Sequence, residues 1–226
     1  MIRELVIATH NLAKAREIAA ILAEQGLDLK TLTLRDLPEL ILPEEGTESF
    51  ESNARGKALA CWQGTGKPSL GEDSGLEVEA LGGRPGVFSS RFAGRGAGQR
   101  ELCEKVLRLM REAPEEGRAA RFRSVCALAL DGSGTRVFEG RCEGQIAREM
   151  RGSGGFGYDP IFIPFGLAPL DYAQGKQGRP GGERRTMAEL SAEEKNRMSH
   201  RGKAVRALAH ALRNPESQIS DLRSRI

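Results

Sequence analysis

Two acids, Glu72 and Asp73, stand side by side in the stretch LGEDSGLEVEALGGRPGVFSSRF at residues 70–92, with Ser74 and Gly75 directly after them. Adjacent carboxylates beside Ser-Gly suit the end of a strand, where the backbone meets a ligand and a hard cation can be held. Local turn chemistry alone would also gather acids and glycines, in a solvated turn ahead of an edge strand. Other residues widen the choice. Glu44 and Glu45 supply further acids, and Lys14, Lys57, Lys195 and Arg201 supply cations. The acids could hold Mg²⁺, which binds through few carboxylates plus phosphate oxygens. The cations could neutralise phosphates as point charges or as a fork. Phe156, framed by glycines in RGSGGFGY, offers a ring for a base to stack on, and Asp159, His200 and Arg201 offer donors and acceptors for base edges. Each residue alone has a plain structural reading: a surface lysine, a packed phenylalanine, a helix-capping histidine. Taken together they describe a nucleoside triphosphate site.

Other chemistries fail on context. Gly64-Thr65-Gly66-Lys67 resembles the end of a phosphate-binding loop, but Cys61 and Pro68 stand where that motif needs Gly and Ser or Thr. Gly152, Gly154 and Gly157 satisfy G-x-G-x-x-G, yet Asp159-Pro160 and a strand pattern follow where a helix should begin. Cys61, Cys103, Cys126 and Cys142 have no C-x-x-C spacing, and three of them, in apolar or helical contexts, read as reduced, packed thiols; with only three histidines a zinc site is not expected. The charge balance of 34 Lys and Arg against 31 Asp and Glu, net +3, admits an anionic ligand without calling for nucleic acid. No apolar run is long enough to span a membrane and the N-terminal one is too short for a signal peptide, so a cytoplasmic protein is the expectation. The 226 residues allow one large domain or two small lobes.

The elements that must position these residues follow from periodicity and caps. Residues 4–9 read as a short buried strand, broken at His10-Asn11, and 12–25 as an amphipathic helix ended by Gly26. A strand, a tight polar turn and a helix start present backbone N–H groups to an anion. Lys14 falls in the first turn, where the dipole disfavours a cation, which favours a ligand-facing use. Residues 28–34 predict a strand and 49–63 a helix, with Phe50, Ala54, Ala58 and Cys61 on one stripe and Lys57 beside it, a position from which a lone lysine snorkels to solvent. A helix is expected over 99–112, and two strands over 119–130 and 135–147, joined by Asp131-Gly132-Ser133-Gly134. Residues 161–163 resume a strand. Thr186-x-x-Glu189 and Ser191-x-x-Glu194 are capping boxes, and Ser199 caps a last helix to 213. Residues 164–185 read as an exposed loop and 214–226 as a tail. The interleaving predicts an α/β fold with a mixed sheet, in a single catalytic domain over 1–213.

Seven stretches, in order, resemble the inosine triphosphate pyrophosphatase family of house-cleaning purine nucleoside triphosphate pyrophosphatases. They are residues 8–14 (ATHNLAK), 49–58 (SFESNARGKA), 71–76 (GEDSGL), 83–94 (GRPGVFSSRFAG), 154–162 (GGFGYDPIF), 188–190 (AEL) and 194–202 (EKNRMSHRG). The resemblance implies a strongly twisted mixed sheet flanked by helices, two lobes with the active-site cleft between them, and a homodimer. It implies Mg²⁺-dependent hydrolysis of ITP, dITP and XTP to the monophosphate and pyrophosphate. Thr9, His10, Asn11, Leu12, Ala13 and Lys14 would meet the triphosphate, with Asn11 and Lys14 as direct contacts and Lys57 joining them. Asp73 would be the proton acceptor and a metal ligand, Ser74 would touch substrate, and Phe156, Gly157, Tyr158, Asp159, Lys195, His200 and Arg201 would close around the nucleotide with Phe156 on the base. Donors to the purine 6-oxo group would be left unpaired by adenine, which accounts for its rejection. Three departures stand out. Glu72 replaces the family's usual aspartate, lengthening one carboxylate arm of the metal shell. The segment 44–50 is one residue longer than usual, leaving Glu44 and Glu45 both open as metal ligands. The link at 164–185 is also longer, and reads as a tolerated surface insertion.

Overall fold

The computed structural model describes residues 2–166 and 184–214. The greater part of the expected insertion, residues 167–183, and the tail from residue 215 lie outside the described residues. Among the described residues six strands make one mixed sheet in the order β2-β1-β3-β4-β5-β6: β1 Glu4–Ala8, β2 Lys30–Thr33, β3 Ser69–Val78, β4 Ala119–Ala129, β5 Arg136–Ile146 and β6 Phe162–Pro164. β1 runs parallel to both β2 and β3, whereas β6 is antiparallel to β5. Among the described residues five α-helices accompany them: α1 Leu12–Glu24, α2 Phe50–Thr65, α3 Gln99–Leu109, α4 Ala192–Met198 and α5 His200–Arg213. The expected α/β fold with a mixed sheet is borne out. No described helix is long and apolar enough to cross a membrane.

The chain divides into two compact units, and β3, β4 and β5 each contribute to both, with breaks at Ser74, Ser124 and Arg141. The first unit is built on β1, whose five residues ELVIA are buried nearly throughout, as a parallel strand covered on both faces must be. On one face Leu5 and Ile7 pack with Ile18, Ile21 and Leu22 of α1, Leu70 of β3, Cys126 and Leu128 of β4, and Val205, Leu208 and Ala209 of α5. On the other, Val6 and Ala8 meet Leu34 and Cys61 of α2. The helix ends are local in origin. Asn11 caps α1 by accepting from the Ala13 and Lys14 amides, Ser49 caps α2 through the Ser52 amide, and Ser199 caps α5 through the Gly202 amide.

Two glycines seat the helices that carry the chemistry. A Cβ on Gly71 would lie 2.0 Å from the Ala54 carbonyl oxygen, so the α2 backbone rests directly on β3 there. A Cβ on Gly140 would lie 2.1 Å from the His200 carbonyl oxygen, and the start of α5 rests on β5 in the same way. These contacts place side chains of α2 and α5 next to the acids of β3.

In the second unit, Leu76 and Val78 of β3 pack with Leu102, Cys103, Val106 and Met110 around α3, and with Phe122, Ile146, Tyr158 and Phe162. The rings of Phe122 and Phe162 are tilted at 52° with centroids 4.5 Å apart. Arg118 is buried and donates to the carbonyls of Met110, Ile146 and Ala147 at 2.7–2.8 Å, closing the end of α3. The Ser191–Glu194 capping box forms as expected, with the Ser191 amide on Glu194 Oε2 (2.9 Å) and the Glu194 amide on Ser191 Oγ (3.1 Å).

One expectation is corrected. Glu72 and Asp73 lie in the middle of a ten-residue strand, 2% and 5% exposed, and neither at a strand end nor in a solvated turn. The cations described next make this position tenable.

Candidate active site

The first unit gathers charge around β3. Glu72 is fully ringed. Its Oε2 accepts from Lys14 Nζ at 2.9 Å, and its Oε1 accepts from Ser124 Oγ at 2.8 Å and from Arg201 Nε at 3.2 Å. Arg201 is itself 1% exposed; its Nη2 lies 3.1 Å from Glu72 Oε1 and 3.1 Å from Ser74 Oγ, and its Nη1 pairs with Glu17 of α1. Lys14 Nζ also donates to Ser74 Oγ at 3.0 Å. Burial alone would raise the Glu72 pKa, but Arg201 and Lys14 outweigh it and hold the carboxyl well below its ordinary value. Glu72 is therefore a fixed anion.

Asp73 points into a different environment. Its Oδ1 accepts from Lys57 Nζ at 3.3 Å and its Oδ2 from Asn53 Nδ2 at 2.8 Å. Burial dominates and raises its pKa, with Lys57 and Lys14 pulling the other way and Glu45 adding to the rise. Lys57 is buried and does not snorkel to solvent, which corrects the expectation from its helix position. Its Nζ bridges Asp73 and Glu45 Oε1, the latter at 2.8 Å. Burial opposes its charge, yet the attraction of Asp73 and Glu45 leaves its pKa raised. Two neighbouring carboxyls thus have pKa values driven apart, a common basis for different roles in acid–base chemistry. Of the two acids left open, Glu45 reaches this cluster through Lys57 and Glu44 is exposed.

The turn before α1 is arranged as expected in backbone but not in free amides. Thr9 Oγ1 accepts from the Asn11 amide at 3.1 Å, and Asn11 Oδ1 occupies the Ala13 and Lys14 amides. His10, Asn11 and Ala13 are exposed, Leu12 and Lys14 partly so. His200, the first residue of α5, is buried.

The second unit brings together Phe156, Gly157, Tyr158, Asp159 and Lys195. Asp159 is buried, and its Oδ2 accepts from the Phe156 amide at 2.8 Å and from Lys195 Nζ at 2.9 Å. Lys195 Nζ sits 4.4 Å from the centroid of the half-buried Phe156 ring, a cation–π contact. Tyr158 is buried and donates its hydroxyl to the Ser89 carbonyl at 2.8 Å, while the Gly157 carbonyl accepts from Cys103 Sγ at 3.4 Å. Gly155 makes the turn possible: its φ is +71°, and a Cβ there would lie 2.1 Å from Asp159 Oδ2.

Three residues of the first cluster were missed in the sequence: Asn53, Ser124 and Glu17. Asn53 was findable, because it sits four residues before Lys57 and so shares its helix face. Ser124 and Glu17 carry no such local signal.

Comparison with known proteins agrees with the resemblance drawn from the motifs. A dITP/XTP pyrophosphatase of Bacillus subtilis is 41% identical over 212 residues, 94% of this chain and 98% of that protein. The structure of a HAM1 protein from Coxiella burnetii is 37% identical with a TM-score of 0.77, covering 94% of this chain and all of that one. The Ham1 protein of Staphylococcus aureus is 33% identical with a TM-score of 0.76 over 95% of this chain and all of that one. The Ham1 family profile matches residues 5–211, and the chain belongs to the Ham1 family.

Proposed function

We propose that this chain hydrolyses deaminated purine nucleoside triphosphates, dITP, ITP and XTP, to the monophosphate and pyrophosphate. The observation that carries the reading is the pair on β3: an ion-paired Glu72 beside an Asp73 whose pKa is raised, set among Lys14, Lys57 and Arg201. The names of the relatives support the same activity.

A divalent cation fits this donor set. Glu45, Glu17, Glu72 and Asp73 stand against three cations, Lys14, Lys57 and Arg201, so the cluster has no positive excess to offer a triphosphate. No group of three or more Asp, Glu, His or Cys side chains is arranged as a ready metal cage among the described residues. Mg²⁺ does not need one, since it binds through one or two carboxylates together with phosphate oxygens and water. Asp73 and Glu45, brought together by Lys57, would hold it; Glu72, with both oxygens engaged, would instead anchor Lys14 and Arg201. When bound, Mg²⁺ supplies charge neutralisation at the phosphates. Asp73 accepts the proton of the attacking water, and its raised pKa brings it nearer the range where a base works at neutral pH. Lys14 and Lys57 meet the phosphates, where positioning and electrostatics dominate the barrier. Phe156, backed by Lys195, offers a face to the base.

The test is a substrate panel. With Mg²⁺, release of pyrophosphate from dITP and XTP should exceed that from dGTP and dATP by orders of magnitude. Equal rates on all four would sink the specificity assignment. On the resemblance we extend the proposal to a homodimer, to be seen in sedimentation velocity as twice the chain mass; a monomer at micromolar concentration would overturn that part.

A further inference from the structure

Asn53 is 8% exposed on α2, one turn before Lys57, and every polar function of its amide is used. Its Nδ2 donates to Asp73 Oδ2 at 2.8 Å and to the Gly46 carbonyl at 3.3 Å, and its Oδ1 accepts from the Gly46 amide at 2.8 Å. The orientation of the amide is fixed by chemistry: only the NH₂ can face a carboxylate, and only the oxygen can face an N–H. Asp73 is thus held at both oxygens by one helix, Oδ2 by a neutral donor and Oδ1 by the Lys57 ammonium. Each of these two helix residues also grips the segment before α2, Lys57 at the Glu45 side chain and Asn53 at the Gly46 backbone.

We propose that Asn53 is a positioning residue. It fixes the rotamer of Asp73 and ties the 44–46 segment to it, so that the base and the Glu45 carboxylate keep one mutual geometry. This rests on Asp73 acting as the base, as proposed above. Lys57 alone would not do this, because an ammonium on a flexible stem attracts a carboxylate without setting its plane. A planar amide fixed to the Gly46 backbone through both its oxygen and its NH₂, and donating to Asp73 from that same NH₂, does set it. A displacement of about 1 Å at a reacting group can cost about 10²-fold in rate, which is the size of effect expected.

The experiment compares Asn53→Ala, Asn53→Asp and Asp73→Asn with the unmodified protein. Asn53→Asp keeps the acceptor for the Gly46 amide, so the 44–46 segment stays tethered while the donor to Asp73 is lost and replaced by a like charge. Both Asn53 variants should lower kcat on dITP by about 10²-fold. KM should stay within about threefold, because no phosphate contact is removed. The Mg²⁺ concentration for half-maximal rate should rise in Asn53→Ala. Independently of activity, NMR hydrogen exchange at the Gly46 amide should speed up by at least about tenfold in Asn53→Ala and change little in Asn53→Asp. Asn53 variants with kcat within about threefold of wild type, alongside an inactive Asp73→Asn, would overturn the positioning role and leave the proposed function standing. Unchanged Gly46 exchange in Asn53→Ala would overturn it too. An active Asp73→Asn would overturn both, since the base itself would be wrong.

Discussion

Asp73→Asn is expected to lower kcat by about 10²–10⁴-fold, the range that a positioned general base contributes, while the protein stays folded and becomes no less stable. The substitution keeps the shape of the side chain and an acceptor for Asn53 or Lys57, but removes the proton acceptor. The stability side follows from the sign of the pKa shift. Burial raises the Asp73 pKa in the folded chain, so the folded state holds its proton at pH values where the unfolded state has lost it. Stability attributable to this group therefore falls as pH rises through the window from the unfolded value, near 3.8, to the raised folded one, and stays lower above it. At neutral pH the ionised Asp73 is a cost to the fold, which Asn does not carry. A catalytic group that strains the structure holding it is a familiar trade of stability for activity. Steady-state kinetics and a urea titration of the metal-free protein check both halves. A variant within tenfold of wild-type kcat would remove Asp73 from the role of base.

Glu72→Gln, one residue away, should behave in the opposite way. The folded pKa of Glu72 lies well below its ordinary value of 4.5, because Arg201 and Lys14 overcome the burial that would raise it. A depressed folded pKa adds stability that is present above the unfolded value and is lost as pH falls through the folded one. Removing the charge takes from both Arg201 and Lys14 the buried carboxylate that they share. Breaking a buried pair on one side costs about 3–5 kcal/mol, because the remaining charge is uncompensated. The urea midpoint should fall accordingly, and the gap to wild type should hold between pH 7 and pH 5, narrowing as pH drops from the unfolded value of 4.5 toward the folded one. A midpoint unchanged at pH 7 would mean that Glu72 is not the anchor of these cations.

The contrast between these neighbours shows where local signals stop. Caps at Ser191 and Ser199 and the hydrophobic stripe of α2 are decided within a few residues, and all of them were legible. The pair of long strands β4 and β5 came through for the same reason, since Asp131-Gly132-Ser133-Gly134 marks the turn between them. The place of Glu72 and Asp73 was not legible. Local propensity sets adjacent acids against a mid-strand position, but their partners come from far along the chain: Lys14 is 58 residues away from Glu72 and Arg201 is 129. The same distance effect keeps Lys57 from snorkelling, because the carboxylates that bury it belong to another element and to a preceding loop. Asp159 was expected to read a base edge; its carboxylate is turned inward to hold the Phe156 amide and Lys195, a local contact hidden by the unusual turn at Gly155. Thr9 to Lys14 gave the right turn but not the fact that Asn11 spends its side chain on the helix amides.

The central claim is that the acids of β3 and their cations carry out metal-assisted cleavage of a purine nucleoside triphosphate. Its most direct test is the product balance from dITP, measured with Mg²⁺ and with the metal chelated away. The account predicts one pyrophosphate for each deoxyinosine monophosphate with Mg²⁺, no orthophosphate, and no turnover when the metal is removed. Release of orthophosphate with a nucleoside diphosphate, or equal turnover without metal, would contradict it.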